Sequence, residues 1–281
     1  MTAHNFTRRR TRRRPPSWKQ RALDSPRHFD VKQEAIARIV EERPDRPRSW
    51  KCLHLNAASL DTGRRSAACN YERWRTQRFV NDVVLKHLKN AQGHAYLVTV
   101  AAPKWRCTPE GLKPADLSLL RRKVRDGHER LRARGYRPAF LAVIEVSAAR
   151  DVDGSLWFEP HLHIVIKGIR KPEIRDAFRI RIPRSDRQRI RPVQVKKITS
   201  GSLDTVLGYV TKMKAELRSG YERADGTRSR RTNRVPPDLL RLWLGFMALI
   251  PIEDLLVFGG FSDRLARKFL TIEMATLEGE I

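Results

Sequence analysis

Two histidines separated by one apolar residue, His161 and His163, are the residues of this sequence best suited to chemistry. They lie in the apolar segment Trp157 to Ile166, which has the composition of a β-strand. Because side chains alternate between the faces of a strand, both imidazoles project from one face and Leu162 from the other. The pattern predicts half of a metal site, with a half-buried histidine pair as the alternative.

Glu145 is the candidate third ligand, because a carboxylate in an apolar stretch is costly unless it is paired or bound to a cation. An oxygen ligand beside two imidazoles suits Mg²⁺ or Mn²⁺. Residues 145 and 161 share a face if they pair across a hairpin. That pairing requires a loop over 152–154 or 151–155, whereas a two-residue turn at Asp153-Gly154 puts Glu145 on the wrong face. We therefore predict an odd-length loop or a bulge; the alternative is a salt bridge to one of the many arginines.

Tyr209 and Lys212, one helical turn apart, follow the histidines in the chain. In a helix over 203–217 the apolar side chains fall on one broad face, whereas Tyr209, Lys212, Thr205 and Glu216 cluster elsewhere. A phenol costs about 4 kcal/mol to ionise at pH 7, so attack on phosphorus needs a metal ion and a nearby cation. The product would be a covalent phosphotyrosine. An exposed Tyr–Lys pair without a function is the alternative.

Strands and helices are predicted to alternate in the order β-α-β-β-α-β, followed by one helix. This order is typical of an α+β fold with a ferredoxin-like or RRM-like antiparallel sheet, with its helices on one face and the other face free for a ligand. A separate C-terminal helical unit is predicted to begin at Pro236-Pro237. The predicted strands are 95–102, 139–147, 157–166 and 193–198, and the predicted helices are 67–90, 115–134, 172–179 and 203–217.

Composition indicates a nucleic-acid partner. The 281 residues carry a net charge of +27, with a sequence pI of about 11.1 and a mean hydropathy of −0.56. Residues 1–50 hold 14 Lys/Arg and 6 Asp/Glu, so most of the excess lies beyond them. The apolar stretch 239–261 contains charged residues and a proline, which disfavours a membrane span. With no signal-peptide pattern at residue 1, a cytoplasmic protein is expected.

Four segments are predicted: a basic, largely disordered arm (1–48), a helical extension (49–93), a sheet domain that carries the histidines and the tyrosine (94–218) and a helical C-terminal unit (219–281). The arm would hold DNA phosphates, or it is a solvated tail. Three cysteines without a CxxC pair (Cys52, Cys69 and Cys107) disfavour a zinc module, and the chain has no phosphate-binding GxxxxGK[ST] loop. The candidate DNA-binding residues of the arm are Arg8, Arg9, Arg10, Arg12, Arg13 and Arg14.

From residue 95 to residue 217 the chain resembles the HUH endonuclease superfamily, named for a histidine-hydrophobic-histidine strand, and within it the rolling-circle replication initiators. Residues 95–102 are similar to the first family motif, 160–165 (PHLHIV) to the second and 209–212 (YVTK) to the third. The resemblance implies that His161, His163 and Glu145 bind a divalent ion. It also implies that Tyr209 is the nucleophile and that Lys212 assists it.

The resemblance further implies an enzyme of a bacterial host that nicks single-stranded DNA at the origin of a plasmid or phage, remains covalently attached to the 5′ end and works with a host helicase and polymerase. Conjugative relaxases place the tyrosine before the histidines, so the order here favours an initiator. Thr at 205 and Met at 213, where a second tyrosine would stand, indicate the single-tyrosine group. Glu216, two helical turns after Tyr209, would activate water for a terminating hydrolysis, or it is a surface charge. The alternatives are a single-tyrosine transposase and a non-catalytic binder that stacks bases on Tyr96 or Trp157.

Overall fold

A computed structural model describes residues 67–68, 70–181, 191–213, 215–222, 228–233 and 235–261. The predicted basic arm with its six arginines, as well as Cys52 and Cys69, lies outside these residues. No helix in the described ranges has the length and apolar character needed to cross a membrane.

The protein has an α+β fold with a curled, mixed β-sheet and several helices. A π-helical turn, Val80–Val84, joins the first two helices into one continuous rod. The strands are β1 (Ala95–Ala101), β2 (Ala139–Arg150), β3 (Leu156–Lys167), β4 (Val193–Lys197), β5 (Leu217–Glu222), β6 (Arg228–Asn233) and β7 (Leu256–Gly259). The helices are α1 (Asn70–Phe79), α2 (Leu85–Asn90), α3 (Pro114–Ala133), α4 (Lys171–Ala177), α5 (Leu203–Val210) and α6 (Pro237–Ala248).

The sheet contains the four predicted strands, β1 to β4, and three further strands, β5 to β7. Its order is β4-β1-β3-β2-β5-β6, and β7 also pairs with β2. Among the first four strands every pair of neighbours is antiparallel, with α3 connecting β1 to β2 and α4 connecting β3 to β4. β5 runs parallel to β2, which makes the sheet mixed. The predicted order β-α-β-β-α-β is therefore present in residues 95–197.

The loop between β2 and β3 has the odd length that the sequence predicts. β2 ends at Arg150 and β3 begins at Leu156, so the loop covers 151–155, and Glu145 pairs with His161. The Asp151 backbone N–H donates to the Ser155 carbonyl over 2.9 Å, and Gly154 adopts φ 87°. A residue with a Cβ is strained at that φ, so glycine suits this position.

Helices cover both faces of the central strands, so the prediction of helices on one face only was wrong. Every residue of β2 from Ala139 to Ala149 is buried. On one face Phe140 contacts His128 of α3, with ring centroids 5.0 Å apart. On the other face Tyr209 of α5 contacts His163. The continuous apolar stretch of β2 explains this, since strands covered on both sides lose the alternation of polar and apolar residues.

α5 is shorter than predicted, because it ends at Val210 and not at residue 217. The Thr211 hydroxyl donates to the Leu207 carbonyl over 2.7 Å, and Met213 takes φ 41°, a left-handed conformation that no helix continues. Met213 and Leu217 are buried all the same. Their helical spacing in the sequence therefore reflects burial and not a helix.

Within the described residues 219–222, 228–233 and 235–261, the C-terminal part is not a separate helical unit, which corrects a second prediction. Only α6 and a short 3₁₀ turn are helical in the described part of residues 219–261, whereas β5, β6 and β7 belong to the main sheet. The predicted boundary between residues 218 and 219 falls inside β5. α6 is tied to the sheet by the Trp243 indole, which donates to the Val146 carbonyl over 2.8 Å. The predicted sheet domain and the described residues after 218 share one hydrophobic core.

Candidate metal centre

Glu145, His161 and His163 form a compact buried group that could hold a metal ion. One ligand atom from each lies within 4.8 Å of the others. Glu145 Oε2 is 3.1 Å from His163 Nε2 and 3.5 Å from His161 Nε2. The side chains are 2–5% exposed. The pairing of β2 with β3 produces this geometry, because Glu145 faces His161 directly and His163 is the next residue on that face.

Backbone and side-chain contacts orient both imidazoles toward the carboxylate. His161 Nδ1 lies 2.9 Å from the Glu159 carbonyl oxygen, and His163 Nδ1 lies 3.2 Å from Thr99 Oγ1. A carbonyl oxygen only accepts, so His161 Nδ1 carries the proton and neutral His161 has its lone pair on Nε2. Hydrogen bonds of this kind from the second nitrogen are usual for metal-binding histidines, because they fix the tautomer and the ring orientation.

Several polar atoms at the centre of this group have no hydrogen-bond partner outside the group. They are both carboxylate oxygens of Glu145 and Nε2 of His163, all buried. Leaving such atoms unsatisfied costs about 1–3 kcal/mol each, and more for a charged group. Carboxylate oxygens and neutral imidazole nitrogens are suited to a divalent cation, which would satisfy all of them. The residues present therefore fit a metal ion, whose identity is not determined by these contacts.

The charges in the group favour the protonation states that a metal needs. Burial by itself would raise the pKa of Glu145, but the adjacent imidazoles of His161 and His163 hold that pKa well below its ordinary value. Burial lowers the pKa of His163, and the contact with Glu145 opposes the shift without cancelling it. At neutral pH the carboxyl group is thus ionised and His163 is neutral, which are the states that coordinate a cation.

Tyr209 extends over this group from α5. Its ring centroid is 5.8 Å from that of His163, and the residue is 40% exposed. Lys212 Nζ lies 4.4 Å from the centroid of the Tyr209 ring and 2.5 Å from Glu216 Oε1. Glu216 is only 7% exposed, so it is not a surface charge. The structure brings together Tyr209, Lys212 and the histidines. Glu216 joins them through its ion pair with Lys212, and not through a helix face shared with Tyr209, because the helix ends at Val210.

Arg218 is a member of the site that the sequence did not indicate. Its Nη2 atom lies 3.4 Å from His161 Nε2. Arg218 belongs to β5, whose parallel pairing with β2 places it beside Ala149, two pleats from Glu145 on the same face. The sequence has fifty-eight lysines and arginines, so no single functional cation stands out among them. The parallel pairing of distant strands also leaves no local sequence pattern that could have identified Arg218.

The two candidate base-stacking residues lie in different surroundings. Tyr96 is 8% exposed and pairs with Ile166, on the face opposite the histidines. Trp157 lies on the histidine face of β3, and the Arg106 guanidinium is 5.1 Å from its ring centroid. Tyr96 therefore offers no surface for a base, whereas Trp157 is already covered in part by an arginine.

Comparisons with known proteins leave the site to be interpreted from its geometry. No protein-family model, no curated protein and no solved structure matches the chain.

Proposed function

We propose that this protein is a metal-dependent, site-specific endonuclease and strand transferase for single-stranded DNA, which acts through a 5′-phosphotyrosine. One observation carries the proposal: an accessible phenol, Tyr209, next to a buried His–His–Glu group. Rolling-circle replication of a plasmid or phage is the process that this chemistry suits best. The order β4-β1-β3-β2 in the first four strands supports a ferredoxin-like HUH domain as the finer description of the fold.

The reaction that we propose is a transesterification. Tyr209 Oη attacks a phosphorus atom of the DNA backbone, a tyrosine O–P bond forms and the bond from phosphorus to the 3′ oxygen breaks. The phenol loses one proton and the departing 3′ oxygen gains one. The exchange conserves the phosphodiester, so a 3′ hydroxyl can later reverse it and rejoin the strand.

Lys212 is placed to lower the cost of ionising Tyr209. Its Nζ lies 4.4 Å from the Tyr209 ring centroid, and a unit charge at about 4 Å is worth about 4 kcal/mol at the effective dielectric constant near a protein surface, which is of the same order as the cost of ionising a phenol at pH 7. The ion pair with Glu216 weakens this effect but holds the lysine beside the ring. Activation of water by Glu216 would first require that ion pair to open.

His161, His163 and Glu145 would hold the divalent ion. Bound there, it would act as a Lewis acid on a non-bridging phosphate oxygen and would orient the phosphate for in-line attack. Thr99 and the Glu159 carbonyl keep the imidazoles pointing at that position. The surrounding apolar strands exclude water, which strengthens electrostatic interactions at the site.

A covalent protein–DNA adduct is the test of this proposal. The protein is incubated with 3′-labelled single-stranded oligonucleotides, from a random pool and from its own replicon, with Mn²⁺ or Mg²⁺, and the products are separated on a denaturing gel. We expect a labelled adduct that Tyr209→Phe abolishes and that the matched control Tyr136→Phe retains. The absence of an adduct with either metal, or its persistence in Tyr209→Phe, would refute the proposal.

A single-tyrosine transposase would use the same chemistry, and the two are separated by substrate. An initiator forms its adduct on origin DNA, whereas a transposase forms it on the ends of a mobile element. A non-catalytic sheet binder is less favoured, because Tyr96 is buried and the Trp157 ring is already covered in part by the Arg106 guanidinium.

A further inference from the structure

Arg218 occupies a position that the proposed mechanism does not use. It lies on β5, between β2 and β6, where its neighbours are Ala149 on one side and Thr232 on the other. Leu217, the preceding residue, is buried at 3% exposure and anchors the strand in the core. The backbone of Arg218 is therefore held in the sheet, while its side chain is only partly buried and reaches the edge of the candidate metal centre.

The contact between Arg218 and His161 has only one possible polarity. A guanidinium group has donors and no acceptor, so Arg218 Nη2 donates and His161 Nε2 accepts. This agrees with the proton on His161 Nδ1, which points to the Glu159 carbonyl. The lone pair that receives the arginine is the same lone pair that a metal ion would need.

A metal ion and Arg218 cannot use that lone pair together. An imidazole nitrogen has one lone pair, and two cations so close together repel each other. An ion that binds His161 must therefore displace the Arg218 guanidinium from that imidazole, while the Arg218 backbone stays fixed in the sheet. The released group remains beside the ion with its donors free, and a planar guanidinium fits two oxygens of one phosphate.

We propose that Arg218 has two alternate partners in one centre: His161 while the centre lacks an ion, and a phosphate of single-stranded DNA once an ion is bound. This inference rests on the proposed function and adds a phosphate-binding residue to it. Arg218 then competes with the metal for His161 but cooperates with it in holding the DNA. Loading of the ion and loading of the DNA are thereby coupled through one side chain.

Two binding measurements test this inference. The first is Mn²⁺ affinity without DNA, by titration calorimetry or electron paramagnetic resonance. Arg218→Ala removes the competitor, so we expect about 2- to 10-fold tighter Mn²⁺ binding, the worth of one ordinary hydrogen bond. The second is the affinity of the Mn²⁺-loaded protein for a single-stranded oligonucleotide, in a Tyr209→Phe background that prevents cleavage. Here we expect about 10-fold weaker binding and a slope of log affinity against log salt that is shallower by about 0.7.

Matched variants make the result specific. Arg150→Ala removes an equal charge from an exposed position at the end of β2, and both affinities should stay at the wild-type value. Arg218→Lys keeps the charge without the planar fork, so its oligonucleotide affinity should lie between those of wild type and Arg218→Ala. Arg218→Gln provides a second neutral variant if the alanine variant does not fold, and circular dichroism verifies folding for each.

The outcomes are distinct. If Arg218→Ala and Arg218→Gln bind Mn²⁺ as Arg150→Ala does, there is no competition and the inference is overturned. If Mn²⁺ binding tightens but oligonucleotide binding is unchanged, Arg218 is not a phosphate ligand and the inference is again overturned. Neither measurement depends on nicking, so the absence of an adduct in the wild type would count against the proposed function alone.

Discussion

Replacing Glu145 by Gln should remove the thermal stabilisation that a metal ion gives this protein. The substitution preserves the size of the side chain but removes its charge, in a position that is 3% exposed and has two carboxylate oxygens without hydrogen-bond partners. A ligand that binds only the folded state at 100 times its Kd stabilises it by about 2.7 kcal/mol. For a domain of this size, each kcal/mol raises Tm by about 2–4 °C, so Mn²⁺ should raise the wild-type Tm by about 5–11 °C.

The effect of Glu145→Gln on stability is predicted separately for the metal-free protein and for the protein with Mn²⁺. Without metal, Glu145→Gln should be less stable than the wild type, because a carboxyl group whose pKa is held below its ordinary value favours the folded state at neutral pH when it is ionised. With Mn²⁺, its Tm should stay within about 2 °C of the metal-free value, as the only anionic ligand is gone.

Differential scanning calorimetry with and without Mn²⁺ measures both effects. Glu129→Gln is the matched control, since that side chain is 68% exposed and belongs to α3, away from the histidine face. It should retain the full Mn²⁺ shift. An equal shift in Glu145→Gln and the wild type would mean that the metal binds elsewhere, and the assignment of this centre would be wrong.

Three further predictions concern the surroundings of the centre. Glu216→Gln removes the ion pair that holds Lys212 beside the Tyr209 ring, and we expect this loss of position to outweigh the gain from an unpaired lysine charge. Single-turnover kinetics should therefore show adduct formation slowed about tenfold and adduct hydrolysis unchanged; slowed hydrolysis alone would indicate water activation. Burial lowers the pKa of His163 in the folded state, so as the pH falls this imidazole takes up a proton in the unfolded state before it does so in the folded state. The free energy of unfolding of the metal-free protein should therefore fall as the pH drops through about 6.5. Urea titrations at pH 7.5 and 5.5 measure this change, which should be smaller for His163→Gln than for the wild type. Arg73 is buried and donates to the Met213 carbonyl over 2.7 Å, so Arg73→Met should lower the free energy of unfolding by about 1–3 kcal/mol in urea titrations; an unchanged midpoint would mean that the turn after α5 does not depend on it.

The sequence predicted the three candidate ligands because local rules determine their placement. Alternation along a strand puts His161 and His163 on one face, and the cost of an isolated carboxylate requires Glu145 to join them. These two requirements are met by a loop of odd length or by a bulge, and the five-residue loop over 151–155 confirms the first of these. Parity is a strong constraint, since a one-residue slip would turn every side chain of the strand to the other face.

What the sequence could not predict depends on contacts between distant segments. The residues after Val210 keep a helical spacing of buried positions, but β5 gains more from pairing with β2 than from extending α5. The return of β7 to β2 likewise has no local signal. Arg218 reaches His161 only through the pairing of β5, so no rule based on nearby residues would have selected it.

The outer edge of β2 is shared by two strands that arrive from the end of the chain. β7 pairs with residues 140–143 and β5 with residues 148–150, and the Trp243 indole bonds to the Val146 carbonyl between them. A truncation before residue 236 would strip away both β7 and that indole, leaving the ligand-bearing strand as an open apolar border that invites self-association. Strands β5 and β7 and helix α6 thus act as a built-in shield against aggregation, and a fragment that ends after Tyr209 should be insoluble.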